Sequence, residues 1–411
     1  MNFAISRRSL VAGVAALPFA PYLANAQAND PIRIGVLAPL TGGGGPYGAD
    51  IVKASKLAAD QVNAAGGVLS GRKIELFVED DETSATAAVK AARKLLDIDK
   101  VIAITAVWGS APILAVRPLT LQRNIVLTAL GSADEVTEGD TKGLVWRFQA
   151  RASSWGEPAA LAILKGGYKK VGLLHLQNPF VASMIPSFIK TIEEGGAKVV
   201  SSVEFKPDQP SYRAEIEKLF SVSPDAVFVP GYVNQFTSIA KEIYRRGYKG
   251  KVFSLTIAAA AGIDGSGTFI KNVGKEVAEG IEHVQPISPL DRPEYKAFVK
   301  AMGAPDSTVF PFAALQFDAI NVLAVAIEKA KSANPVEFAR EIIRITNGPG
   351  TKVTTGAEAL ALVRKGEAID FTGAGQDLKF DERGELLGRP FLHQVIRDGK
   401  DVIVGTVGGA A

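Results

Sequence analysis

The chain of 411 residues contains no cysteine. That absence excludes disulfides, thiolate metal sites and a cysteine nucleophile. It also excludes a lipid-modified cysteine behind an export signal, so the mature chain is expected to be free in solution. Histidine is almost as scarce. His175, His283 and His393 lie far apart, which argues against a His-rich metal centre. Charge of one sign is missing too. The formal net charge is +3, and residues 1–26 carry Arg7 and Arg8 but no acid, so their removal lowers it by two. A nearly neutral chain offers no electrostatic footprint for nucleic acid or an anionic membrane. No segment beyond residue 26 is long and apolar enough to span a bilayer, which takes about 20 residues.

What is present begins with an export signal over residues 1–26. Arg7-Arg8 supplies the basic start, Leu10 to Phe19 a short apolar stretch, and Ala24-Asn25-Ala26 a small-x-small cleavage pattern. Ser6-Arg7-Arg8-Ser9-Leu10 also fits a weak twin-arginine signal, so the general secretory and twin-arginine routes both stay open. The expected destination is the periplasm. The remaining chain, 47% hydrophobic over the full length, is ample for two cored domains.

From residue 32 the pattern alternates between β-rich apolar runs and amphipathic helices. Ile32–Leu37, Lys73–Val78, Val101–Val107 and Asn124–Thr128 read as strands, with helices over 49–64, 85–96 and near Pro112. Near residue 170 the series restarts. Strands are expected at 170–176, 197–205, 226–229 and 252–255, with helices at 180–194 (kinked at Pro186), 211–220 and 235–246. Helices dominate 293–345. The tail from Thr351 carries turn signals such as Asp381-Glu382-Arg383-Gly384 and Arg397-Asp398-Gly399-Lys400 between β-like runs. Strand–helix alternation implies right-handed crossovers and parallel sheets. The expected fold class is therefore α/β, with two doubly wound parallel-sheet lobes.

Gly43-Gly44-Gly45-Pro46-Tyr47-Gly48 fits G-x-G-x-x-G between a strand and a helix, and Glu79, Asp80 and Asp81 end the next strand. A dinucleotide fold would use such acids on the ribose, but they lie roughly 30 residues past Gly48, against about 20 expected. Consecutive glycines satisfy the pattern by composition alone. The preferred reading is a glycine turn that brings backbone N–H groups and the Tyr47 ring to a cleft. No G-K-[ST] follows, Gly109-Ser110-Ala111 lacks the G-x-S-x-G elbow, and Asp264-Gly265-Ser266-Gly267 lacks the remaining ligands of a calcium loop. No catalytic constellation, cofactor or metal is expected.

Long ordered segments carry a family resemblance: Ile32-Arg33-Ile34-Gly35-Val36-Leu37-Ala38-Pro39-Leu40-Thr41-Gly42, Val62-Asn63-Ala64-Ala65-Gly66-Gly67-Val68, Gly71-Arg72-Lys73-Ile74-Glu75-Leu76, Pro224-Asp225-Ala226-Val227-Phe228, Gly231-Tyr232, Phe317-Asp318-Ala319 and Phe380-Asp381-Glu382-Arg383-Gly384. Together they resemble the type I periplasmic binding proteins of the branched-chain amino acid and amide ABC transporters. The resemblance implies two lobes joined by three hinge crossings, near residues 150, 283 and 348. Lobe I then combines 27–150 with 284–347, and lobe II combines 151–283 with 348–411.

The same resemblance implies that Ser110 grips a ligand carboxylate, helped by backbone groups near Leu130 and by the Ser132 side chain. Tyr47, Phe180 and Tyr232 would enclose the solute, and Trp108 adds a flat surface. Read without the resemblance, the two serines are ordinary helix caps and each aromatic ring is core. One departure bears on the ligand. Amino-acid-binding members place an acid in the loop equivalent to Thr256-Ile257-Ala258-Ala259-Ala260-Ala261, where this chain has none before Asp264. A carboxylate without an α-amino group, aromatic in view of Trp108, Phe180 and Tyr232, is expected; a branched-chain amino acid returns if Asp264 reaches the cleft. The implied partner is the membrane permease of an ABC importer, with the binding protein a monomer. A sensory ligand-binding module and an exported α/β enzyme are the competing readings.

Overall fold

A computed structural model describes residues 30–408, apart from 208, 249, 263, 264, 288 and 389. The export signal and Asp264 therefore lie outside the described residues. The first series runs β1 (Ile32–Ala38), α1 (Gly45–Ala64), β2 (Ile74–Asp80), α2 (Ala85–Asp97), β3 (Ala103–Val107), α3 (Ser110–Gln122), β4 (Val126–Ala129) and β5 (Val145–Arg147). The second runs α4 (Ser153–Lys165), β6 (Lys170–Leu176), α5 (Pro179–Glu194), β7 (Lys198–Phe205), α6 (Arg213–Phe220), β8 (Ala226–Phe228), α7 (Val233–Arg245) and β9 (Lys251–Leu255). Three short helices, α8 (Thr256–Ala259), α9 (Thr268–Val273) and α10 (Lys275–Ala278), precede β10 (Glu282–Pro286). Next come α11 (Pro293–Ala301), α12 (Ala313–Ala330), α13 (Pro335–Thr346), β11 (Thr351–Val353), α14 (Gly356–Arg364) and β12 (Ile369–Phe371), then β13 (Phe391–Arg397) and β14 (Lys400–Val407).

The first lobe holds a parallel sheet in the order β2-β1-β3-β4-β5. The second holds β14-β13-β10-β9-β8-β6-β7, parallel from β10 to β7. Its far edge is an antiparallel hairpin, with β13 antiparallel to β10 and β14 antiparallel to β13. The expected Asp398-Gly399 turn closes that hairpin with both residues at positive φ, 51° and 75°, as a two-residue primed turn requires. Helix α5 continues through Pro186. Residues 256–259, read as loop from the sequence, form one helical turn.

Helix α12 is buried from Ala313 to Ile327 and packs along α1. A fully apolar helix surface is what a central core helix requires. Two of its polar exceptions are paired: Gln316 accepts from Thr105 on β3 and donates to Ser55 on α1, at 3.1 and 3.0 Å. Asp318 accepts the N–H groups of Ala374 and Gly375, each at 2.7 Å.

Those last bonds correct a boundary. The sequence reading assigned everything after 348 to lobe II. In the structure α14 packs on α1 and α12, Arg364 donates to the carbonyls of Ala65 and Gly67, and Phe380 packs edge-on against Trp146 and Phe148. The chain thus folds back onto lobe I through a two-stranded β11-β12 sheet too short to announce its allegiance by periodicity. We place the crossings between β5 and α4, between β10 and α11, and between Leu387 and β13.

Beside the first and third crossings Arg147 is fully buried and pairs with Glu385 at 2.8 Å. Removing one partner of such a pair strands the other charge and costs about 3–5 kcal/mol. Glu385→Gln is expected to lower unfolding free energy by about that amount in urea titration. A loss under about 1 kcal/mol would show the pair to be dispensable.

Candidate ligand-binding cleft

The cleft begins at an irregularity in β3. The pairing register with β4 shifts between Ile104 and Val107, and buried Ala106 sits at φ +71°. A non-glycine residue there costs on the order of 1–3 kcal/mol and survives only where its surroundings over-determine it. The bulge re-aims the strand's exit, so Trp108 points into the space between the lobes. Gly109, at φ +82°, then turns the chain directly into α3.

Ser110 is consequently the first residue of a 13-residue helix. The first i→i−4 bond runs from Ile113 N–H to Gly109, which leaves the N–H groups of Ser110 and Ala111 at the positive helix end. Ser110 Oγ accepts the Ala133 N–H at 2.9 Å, so its own proton is available to donate. Behind the neighbouring loop, Arg147 donates to the carbonyls of Ser132 and Asp134. Carbonyl oxygens are thereby drawn to the rear of the loop, away from the cleft.

Trp108, Ser110, Leu130, Ser132, Phe180 and Tyr232 line one cavity of about 20 Å³. Tyr47 lines an adjoining one of about the same size. The sequence reading named all seven and missed Trp155, Ile257 and Phe312, which line both spaces. The rings touch one another: Trp108 lies 5.6 Å from Tyr47, 5.2 Å from Tyr232 and 5.5 Å from Phe312 by centroid, and Trp155 lies 5.6 Å from Phe180. Trp108 on lobe I and Tyr232 on lobe II thus meet across the cleft. Each of these two cavities has room for about one water, so the lobes meet here with little space left between the rings.

Among the described residues no charged side chain lines either small cavity. The Trp155 indole is 2% exposed, and its N–H has no acceptor among the described residues. A buried donor without a partner is costly and points to a missing acceptor. Burial pushes the Tyr47 phenol upward, and burial with the charge of Asp81 does the same at Tyr232, so both stay neutral donors.

The glycine run serves these rings. A Cβ on Gly44 would come within 2.6 Å of Trp108, so only glycine lets the indole lie on that backbone. The acids after β2 are otherwise engaged: Glu79 pairs with Lys94, and Asp80 accepts from Leu40, Thr41 and Glu82. Asp81 is buried and accepts one N–H, from Thr83 at 2.7 Å.

On the lobe II wall, Thr256 Oγ1 lies 2.7 Å from His283 Nδ1, and His283 Nε2 lies 2.9 Å from Asp401. Asp401 also accepts the N–H groups of Ala261 and Gly262. The sequence reading assembled no hydroxyl–imidazole–carboxylate chain, because its members come from three distant segments. Here the chain braces the 256–262 segment against β14. Burial alone would raise the Asp401 carboxyl; the bonds from His283, Ala261 and Gly262 outweigh it and hold it below its usual range.

The match to the model of the periplasmic binding protein family spans residues 31–384. The chain belongs to that family. It is 26% identical over 377 residues to the Leu/Ile/Val-binding protein BraC3 of Rhizobium johnstonii, covering 91% of this chain and 96% of that one. A leucine-binding protein from Thermotoga maritima superposes with a TM-score of 0.75 at 24% identity, over 92% and 99% of the two chains. A solute-binding protein of an ABC transporter from R. palustris, in complex with benzoate, superposes with a TM-score of 0.72 at 19% identity, over 93% and 98%. The fold is therefore that of the type I periplasmic binding proteins, and this binding protein is a solute receptor and not an enzyme. Among the described residues no helix is long and apolar enough to cross a membrane.

Asp81 sets a pH dependence. Burial pushes its carboxyl up to about 7, well above the unfolded value near 4. The folded state then binds a proton that the unfolded state has released, so the Asp81 contribution to stability is most favourable below about pH 4 and falls as pH rises toward about 7. Thermal melts of Asp81→Asn against wild type are expected to diverge in favour of the variant across that window. A difference that stays constant with pH would contradict this assignment.

Proposed function

We propose that this protein is the extracytoplasmic receptor of an ABC importer, closing on an aromatic carboxylate that lacks an α-amino group and delivering it to a membrane permease. The observation that carries the reading is the Trp155 indole N–H, a buried donor without a partner, in a cavity that also holds the Ser110 hydroxyl and the start of α3. Neutral donors suffice for a carboxylate in a dry cleft, where charge-assisted hydrogen bonds are short and strong. The flanking rings supply flat apolar walls and no countercharge for an ammonium. Burying an unpaired ammonium costs several kcal/mol. The benzoate held by the R. palustris neighbour is of the same class.

Ser110, Leu130 and Ser132 form the carboxylate end of the site, and Tyr47, Trp108, Phe180 and Tyr232 enclose the ring. Solute contacts both lobes only when they are shut, so binding favours the closed form by its differential affinity. Export through residues 1–26 delivers a monomer to the periplasm. A branched-chain amino acid is the second reading, favoured by the likeness to the Leu/Ile/Val-binding protein of Rhizobium johnstonii.

Calorimetric titration with benzoate, leucine and a short amide separates the readings. Benzoate is expected to bind and leucine to give no heat; tight leucine binding would overturn the aromatic-acid assignment. Trp155→Phe keeps the ring and removes the donor. A hydrogen bond to a charged group is worth about 1.5–3 kcal/mol, so its benzoate affinity should fall roughly tenfold to a hundredfold. An unchanged affinity would show that the indole N–H does not reach the anion.

A further inference from the structure

A cavity of about 370 Å³ adjoins the aromatic cleft and shares Tyr47, Thr256 and Gln285 with it. Both lobes build it. Pro46, Tyr47, Asp50 and residues of the segment before α12 come from lobe I, and Thr256, Gln285, Gln394 and Asp401 come from lobe II. It is far larger than the two spaces between the rings, and the carboxylate site described above does not use it.

Its polar walls combine hydroxyl and amide groups, among them Thr268, Ser307, Thr308 and Gln285, with strong acceptors. Gln394 is 4% exposed, and its Oε1 has no hydrogen-bond partner among the described residues. Asp401 contributes a carboxylate, and Asp50 stands at the outer wall. Thr256 is also confined to accepting. The Asp401 carboxylate at His283 Nε2 requires a proton on that nitrogen, so Nδ1 of the neutral ring takes the Thr256 hydroxyl proton. If the ring is protonated, the Thr256 proton turns instead to the Val284 carbonyl, 3.2 Å away. In either state Thr256 offers the cavity a lone pair. Among the described residues no lysine, arginine or histidine side chain lines the space. The two carboxylates disfavour a second anion there, whereas an uncharged O–H group finds acceptors.

We infer that this cavity is a second subsite, which takes the hydroxyl-bearing end of an extended aromatic acid whose carboxylate lies at Ser110. The inference rests on the aromatic-acid reading and sharpens it from a bare benzoate to a longer, hydroxylated member of the class. Because both lobes line the subsite, its occupant adds to the preference for closure. A site built to receive a hydroxyl discriminates strongly against the analogue that lacks it, because its own polar atoms are then left unpaired.

The test uses a matched pair, 3-phenylpropionate and 3-(4-hydroxyphenyl)propionate, titrated calorimetrically into the wild-type protein, Gln394→Leu and Thr256→Val. The readout is the ratio of the two affinities within each protein, which cancels any general weakening of the cleft. The hydroxylated acid is expected to bind wild type at least roughly tenfold more tightly, and the ratio is expected to fall toward unity in both variants. Equal binding of the pair to wild type would overturn the subsite, as would a preference that survives both substitutions. If neither acid binds wild type while benzoate does, the subsite alone fails; if benzoate gives no heat either, the aromatic-acid reading fails and the subsite falls with it.

Discussion

A carboxylate enclosed without a cationic side chain must be neutralised by O–H and N–H donors that converge on it. On the proposed reading, much of lobe I near the cleft follows from that constraint. The strained backbone at Ala106 and the positive φ of Gly109 place the start of α3 at the gap between the lobes. Arg147 and Glu385, buried together, serve the same end at one remove. The guanidinium engages the carbonyls behind Ser132 and Asp134, so the loop presents its donor side forward. A charge that could have faced the solute is spent instead on organising neutral groups.

Closure has its own physical logic. In the shut form the rings of Tyr47, Trp108, Tyr232 and Phe312 fill the space by touching one another. Aromatic contacts of this kind are worth about 0.5–1.5 kcal/mol each beyond area burial. A flat solute that slides between them replaces ring–ring contacts with ring–solute contacts, so the apolar exchange is nearly balanced. The net preference for the closed, loaded state must then come from the polar end, where the Trp155 N–H and the first N–H groups of α3 gain an acceptor that the empty cleft denies them.

Both βα series were legible from residue types alone, because each strand is an apolar run and each helix shows apolar residues at helical spacing on one face. The hairpin at Asp398-Gly399 was legible from turn chemistry. The allegiance of residues 351–386 was not: it is decided by Asp318, Arg364 and Phe380 making contacts with distant partners, which leave no local pattern. The cleft was legible in the same measure. Tyr47, Trp108, Ser110, Phe180 and Tyr232 follow strands, where family resemblance could find them. Trp155 opens a helix beyond the first crossing, and Phe312 precedes the central helix of lobe I; neither position carries a local signal. The glycine run, set aside as a nucleotide signal by its spacing and composition, serves the packing of Trp108.

The proposal at the centre of this account is an aromatic carboxylate held among the rings by neutral donors, with no acid beside it there. Native mass spectrometry of the freshly purified protein, followed by denaturing identification of whatever solute it retains, addresses that claim without presupposing a ligand. The account predicts the mass of an aromatic carboxylic acid with no α-amino group. Recovery of leucine, isoleucine, valine or any other α-amino acid in stoichiometric amount would contradict it.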